Sequence, residues 1–327
     1  MHIIEAHNLV KKYGELVAVN GVNLSIDEGE IFGLLGPNGA GKTTILNMLS
    51  CMLYPTSGEA FVNGYDVVKQ QNQVRKSIGV VFQDPAIDDQ LTGRENMEIH
   101  ARLYHIPKKV AKPRIDEALK LVELTDRAKS LVRTYSGGMR RRLEIARGLV
   151  HRPRVLFLDE PTIGLDPQTR AKIWDYIDEL AKQEKMTIII TTHYMDEADR
   201  LCNRLAIIDL GEIKAEGNPT ELKKQLGGDV IIVKTKSVKK LADMVSGQDF
   251  VKNVKNTADS VMITVENGER HISSIAVEAK EQGVDIESLI LHEPTLNDVF
   301  LFYTGREIRE EGPAMYGRMF AKMARRR

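Results

Sequence analysis

The stretch Gly36-Pro37-Asn38-Gly39-Ala40-Gly41-Lys42-Thr43 constrains this chain most, because it lies between an apolar run, Ile31 to Leu35, and a helix-like pattern from Thr44 to Leu53. It fits G-x-x-x-x-G-K-[ST], a loop that joins a strand to a helix around phosphate groups. Its glycines let backbone N–H groups converge on phosphate oxygens, and the helix start adds positive potential. Lys42 supplies a point charge, Thr43 offers a hydroxyl to Mg²⁺, and Thr44 continues the same turn. An ordinary Gly-rich turn would need neither the flanking elements nor the lysine. The context predicts nucleotide binding.

The surrounding pattern is that of an α/β domain. Ile31 to Leu35, Ile78 to Phe82, Val155 to Leu158 and Thr187 to Thr192 are short apolar runs separated by helical patterns, and they read as buried parallel strands. In such sheets the ligand lies beyond the carboxyl ends of the strands. The Val155 to Leu158 run ends there in Asp159-Glu160. Successive strand side chains point to opposite sides, so the two acids take different roles. Asp159 suits a Mg²⁺ shell, and Glu160 is placed to orient and deprotonate a water. A pair of merely solvated acids is the plainer alternative.

Tyr135-Ser136-Gly137-Gly138-Met139 opens a helix pattern with apolar Met139, Leu143, Ala146 and Val150. A serine and two glycines at a helix start form a second anion site, although a plain cap would also explain Ser136. With these residues on the page the chain resembles the ABC ATPase family, whose signature is usually LSGGQ. Tyr135 and Met139 depart from that form. YSGGM followed by Arg140, Arg141 and Arg142 is itself similar to the drug-resistance (daunorubicin-type) exporter branch, as is Glu293-Pro294-Thr295-Leu296-Asn297-Asp298-Val299-Phe300-Leu301 near the carboxyl end.

The resemblance covers about residues 3 to 225 and implies a P-loop NTPase cassette with a helical signature subdomain. It implies that Tyr13 stacks on adenine, where a core tyrosine is the alternative. It further implies that Gln83 touches Mg²⁺ and links to a permease, that Asp166 belongs to the D-loop, and that His193 contacts the γ-phosphate. Catalysis would rest on Glu160, His193 and Lys42, with ATP and Mg²⁺ bound and Thr43, Gln83 and Asp159 around the metal. The nucleotide contacts would also include Tyr135, Ser136, Gly137, Gly138 and Met139, because the signature of one subunit closes on the nucleotide of the other. The partners would be a second cassette, identical or paired, and a separately encoded membrane permease that places the chain on the inner face of the cell membrane. The cargo is chosen by that permease, with drug, antibiotic and lipid-like compounds as the exporter branch suggests.

Two other classes compete. A ribosome- or DNA-acting ABC ATPase usually carries two cassettes or a long coiled coil, and neither is present. A small-molecule kinase shares the phosphate loop but not a Ser-Gly-Gly signature before the acid pair. Arginines 133, 140, 141, 142, 147, 152 and 154 read as a solvated face near the nucleotide rather than a nucleic-acid surface. Forty-six basic residues balance forty-six acidic ones, so no polyanion coat is indicated and no nucleic acid is expected as a partner. Two distant cysteines, Cys51 and Cys202, suggest neither zinc nor a disulfide framework, and no apolar run is long enough to span a bilayer.

With 327 residues, more than one domain is expected. Asp209-Leu210-Gly211-Glu212 reads as a hairpin turn, Glu216-Gly217-Asn218-Pro219 starts a helix-like linker to about Leu226, and the boundary falls near Gly227. The cassette is then 1–226, an accessory domain 227–306, and a basic tail 307–327. In the accessory domain, strand 229–235, helix 237–246, strands 251–256 and 260–265, helix 271–282 and strand 284–291 follow the split βαβ, ferredoxin-like order of a small α+β domain. In the tail, Met315, Tyr316, Met319, Phe320 and Met323 could line one helical face.

Overall fold

A computed structural model describes residues 2–305, so the tail and its Met315 to Met323 pattern lie outside the described residues. The chain divides into two compact units, one holding Met1–Leu35 and Gly39–Pro219 and the other holding Gly36–Asn38 and the residues from Thr220 on.

The first unit opens with β1 (His2–Tyr13) and β2 (Leu16–Asp27), followed by β3 (Ile31–Leu35), α1 (Lys42–Leu49), β4 (Ser57–Val62) and β5 (Tyr65–Asp66). Next come α2 (Gln71–Ser77), β6 (Ile78–Val81), α3 (Gly93–Leu103), α4 (Lys108–Leu121) and α5 (Gly137–Leu149). The unit continues through β7 (Val155–Asp159), α6 (Pro167–Glu184), β8 (Thr187–Thr192), α7 (Met195–Leu201), β9 (Arg204–Asp209) and β10 (Glu212–Gly217). Its larger sheet has the order β10-β9-β3-β8-β7-β6 and is parallel from β9 to β6. Every residue of β3, β7 and β8 is buried, as an unbroken apolar run in a sheet covered on both faces requires. The Leu210-Gly211 turn makes β10 an antiparallel edge, as the hairpin reading expected.

A second sheet, β2-β1-β4-β5, is antiparallel and was not foreseen in the sequence. Ile4, Leu9, Val19, Ile26 and Val62 bury its inner face in one core with Ile45, Leu46 and Phe157. Full burial of one such side chain stabilises the fold by about 1.5–3 kcal/mol. The helical subdomain has its own core: Met97 and Ala101 of α3, Ile115 and Leu119 of α4, and Leu143 and Ala146 of α5. A capping box starts α3, where Thr92 accepts from the Glu95 amide and Glu95 from that of Thr92.

The second unit contains α8 (Pro219–Gln225) from Thr220 on, then β11 (Asp229–Lys234), α9 (Val238–Val245), β12 (Val251–Asn256), β13 (Ser260–Val265), α10 (Gly268–Glu281), β14 (Ser288–His292) and α11 (Leu296–Thr304). Its sheet, β12-β13-β11-β14, is antiparallel throughout and has the strand order of the split βαβ arrangement. Ile231, Val233, Val261 and Ile263 pack with Leu241 and Val245 of α9 and Ile275 of α10. In α11 the buried residues are Leu296, Asp298, Val299, Phe300 and Leu301, while Tyr303 is half-buried and its hydroxyl donates to Gln225.

Candidate functional site

Four polar segments leave the carboxyl ends of four neighbouring parallel strands. The glycine loop follows β3, Gln83 lies just beyond β6, Asp159 ends β7 with Glu160 next to it, and His193 follows β8. The sheet therefore assembles residues more than a hundred positions apart, as the switch-point rule for such sheets requires.

At the loop, Gly41 is the N-cap of α1 at φ 107°, where only glycine is at ease. A Cβ at this position would stand 2.6 Å from the Ala18 carbonyl oxygen. Because the cap is a glycine, it places no capping side chain on the first turn of α1. Lys42 is only 4% exposed, and its Nζ lies 3.5 Å from Oε1 of Glu160. Burial lowers its pKa, against the opposing pull of Glu160 and Asp159.

The same Glu160 oxygen lies 3.3 Å from Nδ1 of His193. Burial alone would raise the Glu160 pKa, but the His193 hydrogen bond and the Lys42 charge hold it below the ordinary carboxylate value. Its backbone is at φ 44°, the left-handed region that a non-glycine residue enters only under constraint. Thr191 supplies part of that constraint, accepting from the Glu160 amide at 2.9 Å through Oγ1 and at 3.1 Å through its carbonyl. Asp159 points the other way. Its Oδ1 accepts from Thr43 Oγ1 at 3.1 Å and from the Thr191 hydroxyl, and burial raises its pKa despite those bonds.

At the start of α5, Ser136 is the N-cap, and its Oγ accepts from the Met139 amide at 3.3 Å. Ser136 and Gly137 are exposed, while Gly138 is buried so tightly that a Cβ would meet Thr169 Cγ2 at 2.4 Å. Asp166 likewise caps α6 through the Thr169 amide at 3.0 Å. The structure thus leans the Ser-Gly-Gly turn on the segment that follows Glu160.

The ABC transporter family model matches residues 19–163, and the model of the ATP-binding protein DrrA1-3-like C-terminal domain matches residues 217–304. The chain is 40% identical to the daunorubicin resistance ATP-binding protein DrrA3 of Streptomyces coeruleorubidus, over 91% of this chain and 95% of that one. It is 39% identical to the linearmycin resistance ATP-binding protein LnrL of Bacillus subtilis, over 94% of this chain and all of that one. The chain belongs to the ATP-binding proteins of ABC transporters, in the drug-resistance branch. Among solved structures, cbiO1 of Clostridium perfringens, part of the ABC transporter complex cbiONQ, superposes with a TM-score of 0.64 at 32% identity, over 68% of this chain and 90% of that one. A dimeric cassette in a post-hydrolysis state bound to ADP and Pi gives 0.59 at 30% identity, over 66% of this chain and 98% of that one. This ABC ATPase binds and hydrolyses ATP.

Within the cassette the sequence-derived residues fare differently. Lys42, Thr43, Asp159, Glu160 and His193 come together as described. Tyr13, 48% exposed at the end of β1 with Lys11 Nζ 5.2 Å from its ring centroid, is no core tyrosine. Asn38 and Gly39 are exposed, Pro37 and Thr44 half-buried, and Gly36 and Ala40 buried. Gln83 is exposed in the loop after β6, whose last residue is Val81. Tyr135 is 5% exposed, packs within the helical core and donates its hydroxyl to the Arg127 carbonyl at 2.6 Å. Met139 is half-buried against the same core.

The reading of seven solvated arginines needs correction. Arg133, Arg152 and Arg154 are exposed and Arg140, Arg142 and Arg147 half-buried, but Arg141 is buried beside Glu144 among backbone carbonyls. Glu197 of α7 was also missed. It is wholly buried and accepts from Thr162 Oγ1 at 2.7 Å and Trp174 Nε1 at 2.9 Å, tying the helix after His193 to the segment after Glu160. Burial raises its pKa. The only local signal for the first pair was the i, i+3 spacing of Arg141 and Glu144.

Proposed function

We propose that this chain is the motor of an exporter in which Glu160 accepts the proton of the attacking water while Lys42 and His193 orient its carboxyl group. The observation that carries this reading is the single Glu160 oxygen shared by Lys42 at 3.5 Å and His193 at 3.3 Å, at the carboxyl end of the strand beside β8. The Lys42 charge and the His193 hydrogen bond favour the ionised carboxylate of Glu160, the form that can accept a hydrogen bond from the water. The glycine loop and the start of α1 bind the phosphates, and Tyr13 offers an exposed aromatic face to adenine.

Thr43 and Asp159 fit a Mg²⁺ site, with Gln83 as a further oxygen donor. One hydroxyl and one carboxylate already lie 3.1 Å apart, and Mg²⁺ characteristically takes few protein ligands beside phosphates and water. Among the described residues no group of three or more His, Cys, Asp and Glu competes for a metal. Bound there, the ion would neutralise charge on the phosphates.

The Ser136-Gly137-Gly138 turn is read as the closing half of a site whose phosphate loop belongs to a second cassette. Among the described residues no helix is long and apolar enough to cross a membrane, which supports a separate permease that holds the cassette at the inner membrane face. For the cargo class, names of relatives support export of drugs, antibiotics or lipid-like compounds: daunorubicin and linearmycin resistance, and Nod factor export in Ralstonia nicotianae at 37% identity. Residues 1–226 carry the chemistry in this reading, and 227–306 and 307–327 an accessory domain and a tail. Glu160→Gln should keep ATP affinity and lose hydrolysis, measured by nucleotide titration and phosphate release. Turnover at the wild-type rate would overturn the assignment.

A further inference from the structure

Arg141 is 6% exposed on a helix whose other arginines, Arg140, Arg142 and Arg147, are half-buried. Its Nε donates to the Pro161 carbonyl at 2.7 Å. One terminal nitrogen donates to the Phe82 carbonyl at 2.5 Å and to Glu144 Oε2 at 3.1 Å. The other donates to the carbonyls of Asp159 at 2.9 Å and Glu160 at 3.2 Å. A guanidinium has five N–H donors in a fixed fork, and all five are engaged. Glu144, 3% exposed, uses its other oxygen to accept from the Ala86 amide at 2.9 Å.

A buried ion pair is a weak source of stability, since apolar residues of the same volume serve as well. An arginine instead holds several carbonyls in a fixed mutual position, which an apolar side chain cannot. Here they come from two segments. Phe82 and Ala86 flank Gln83, and Asp159, Glu160 and Pro161 carry the acids. The left-handed backbone of Glu160 costs roughly 1–3 kcal/mol and persists only where its surroundings over-determine it. Thr191 fixes its amide, and Arg141 fixes its carbonyl.

We propose that Arg141 and Glu144 form a positioning pair that couples the backbone of Glu160 to the 82–86 segment, so that hydrolysis responds to where the Gln83 loop sits. The inference rests on the reading of Glu160 as the proton acceptor. Neither residue touches the reacting atoms in this account. Their effect passes through the backbone.

The full-length chain tests this with Arg141→Lys, which keeps the charge but has three donors instead of five, and with Glu144→Gln, which keeps an oxygen for the Ala86 amide but loses the ion pair. Arg141→Lys should lower kcat on the order of 100-fold, the scale of a small misplacement at a reacting centre, with ATP affinity and melting temperature near wild type. Glu144→Gln should lower kcat in the same direction by a smaller factor. Adding Gln83→Ala to Arg141→Lys should lower kcat by less than the product of the single effects, because the link is already cut. A wild-type kcat in Arg141→Lys overturns the proposal, as does a fall in ATP affinity that matches the fall in kcat. If Arg141→Lys does not fold, Glu144→Gln decides, and its wild-type kcat is equally fatal. Glu160→Gln keeps the two ideas apart. If it is dead while the pair variants are normal, only the coupling fails; if it turns over normally, the proton-acceptor reading itself fails.

Discussion

The helix starts of α1 and α5, both rich in serine, threonine or glycine, are finished differently. At α1 the N-cap is Gly41 at φ 107°, no side chain caps the helix, and Lys42, Asp159 and Glu160 crowd the turn. At α5 the serine hydroxyl caps the Met139 amide, and the neighbouring packing comes from Leu165 and Thr169 rather than from acids or a lysine. The first turn gathers the residues proposed for the reaction and has no capping side chain. The second satisfies part of its own helix and presents an exposed serine and glycine outward. The difference teaches that an anion-binding turn without catalytic side chains of its own is suited to complete a site elsewhere.

The largest effect that could break this comparison is at Lys42. Lys42→Ala should reduce hydrolysis by about 10²–10³-fold and weaken ATP binding by the isolated chain, because it removes a buried charge beside the phosphate turn. Ser136→Arg should also abolish hydrolysis but leave ATP binding by the isolated chain unchanged. Equal loss of affinity in the two variants, measured by nucleotide titration at protein concentrations that keep the chain monomeric, would erase the distinction.

The smallest effect sharpens the comparison at the residue before Ser136. Tyr135→Phe deletes one hydrogen bond to the Arg127 carbonyl. The loss is about 1 kcal/mol, or roughly 2–4 °C in melting temperature for a unit of this size, with ATP affinity unaltered. A lower affinity at an unchanged melting temperature would return Tyr135 to the nucleotide.

Which of these features the sequence discloses follows from how local their causes are. The glycine loop, the acid pair and the Ser-Gly-Gly turn are short strings set against a strand or helix, so their chemistry is legible before any contact is known. The βαββαβ order of the second unit is legible because each element carries its own period. The β2-β1-β4-β5 sheet is not, since β1 and β2 mix charged with apolar residues and are completed by β4 some fifty positions later. Arg141 misleads for a similar reason. Its carbonyl partners lie 18, 19, 20 and 59 positions away, and an arginine in a basic run has no local mark of burial. Glu197 is bound by residues 35 and 23 positions away and is equally silent.

The central claim, that the two turns meet in a site shared between chains, is tested most directly by isolated mixed dimers. A Lys42→Ala chain paired with a Ser136→Arg chain has one site with both defects and one with none, so ATPase activity returns relative to either variant alone. A chain carrying both changes, paired with wild type, has one defect in each site, and its activity is lost. The account predicts this asymmetry between two dimers that contain the same two mutations. An undiminished rate per wild-type chain in the second dimer would contradict it, because each chain would then be a complete enzyme by itself.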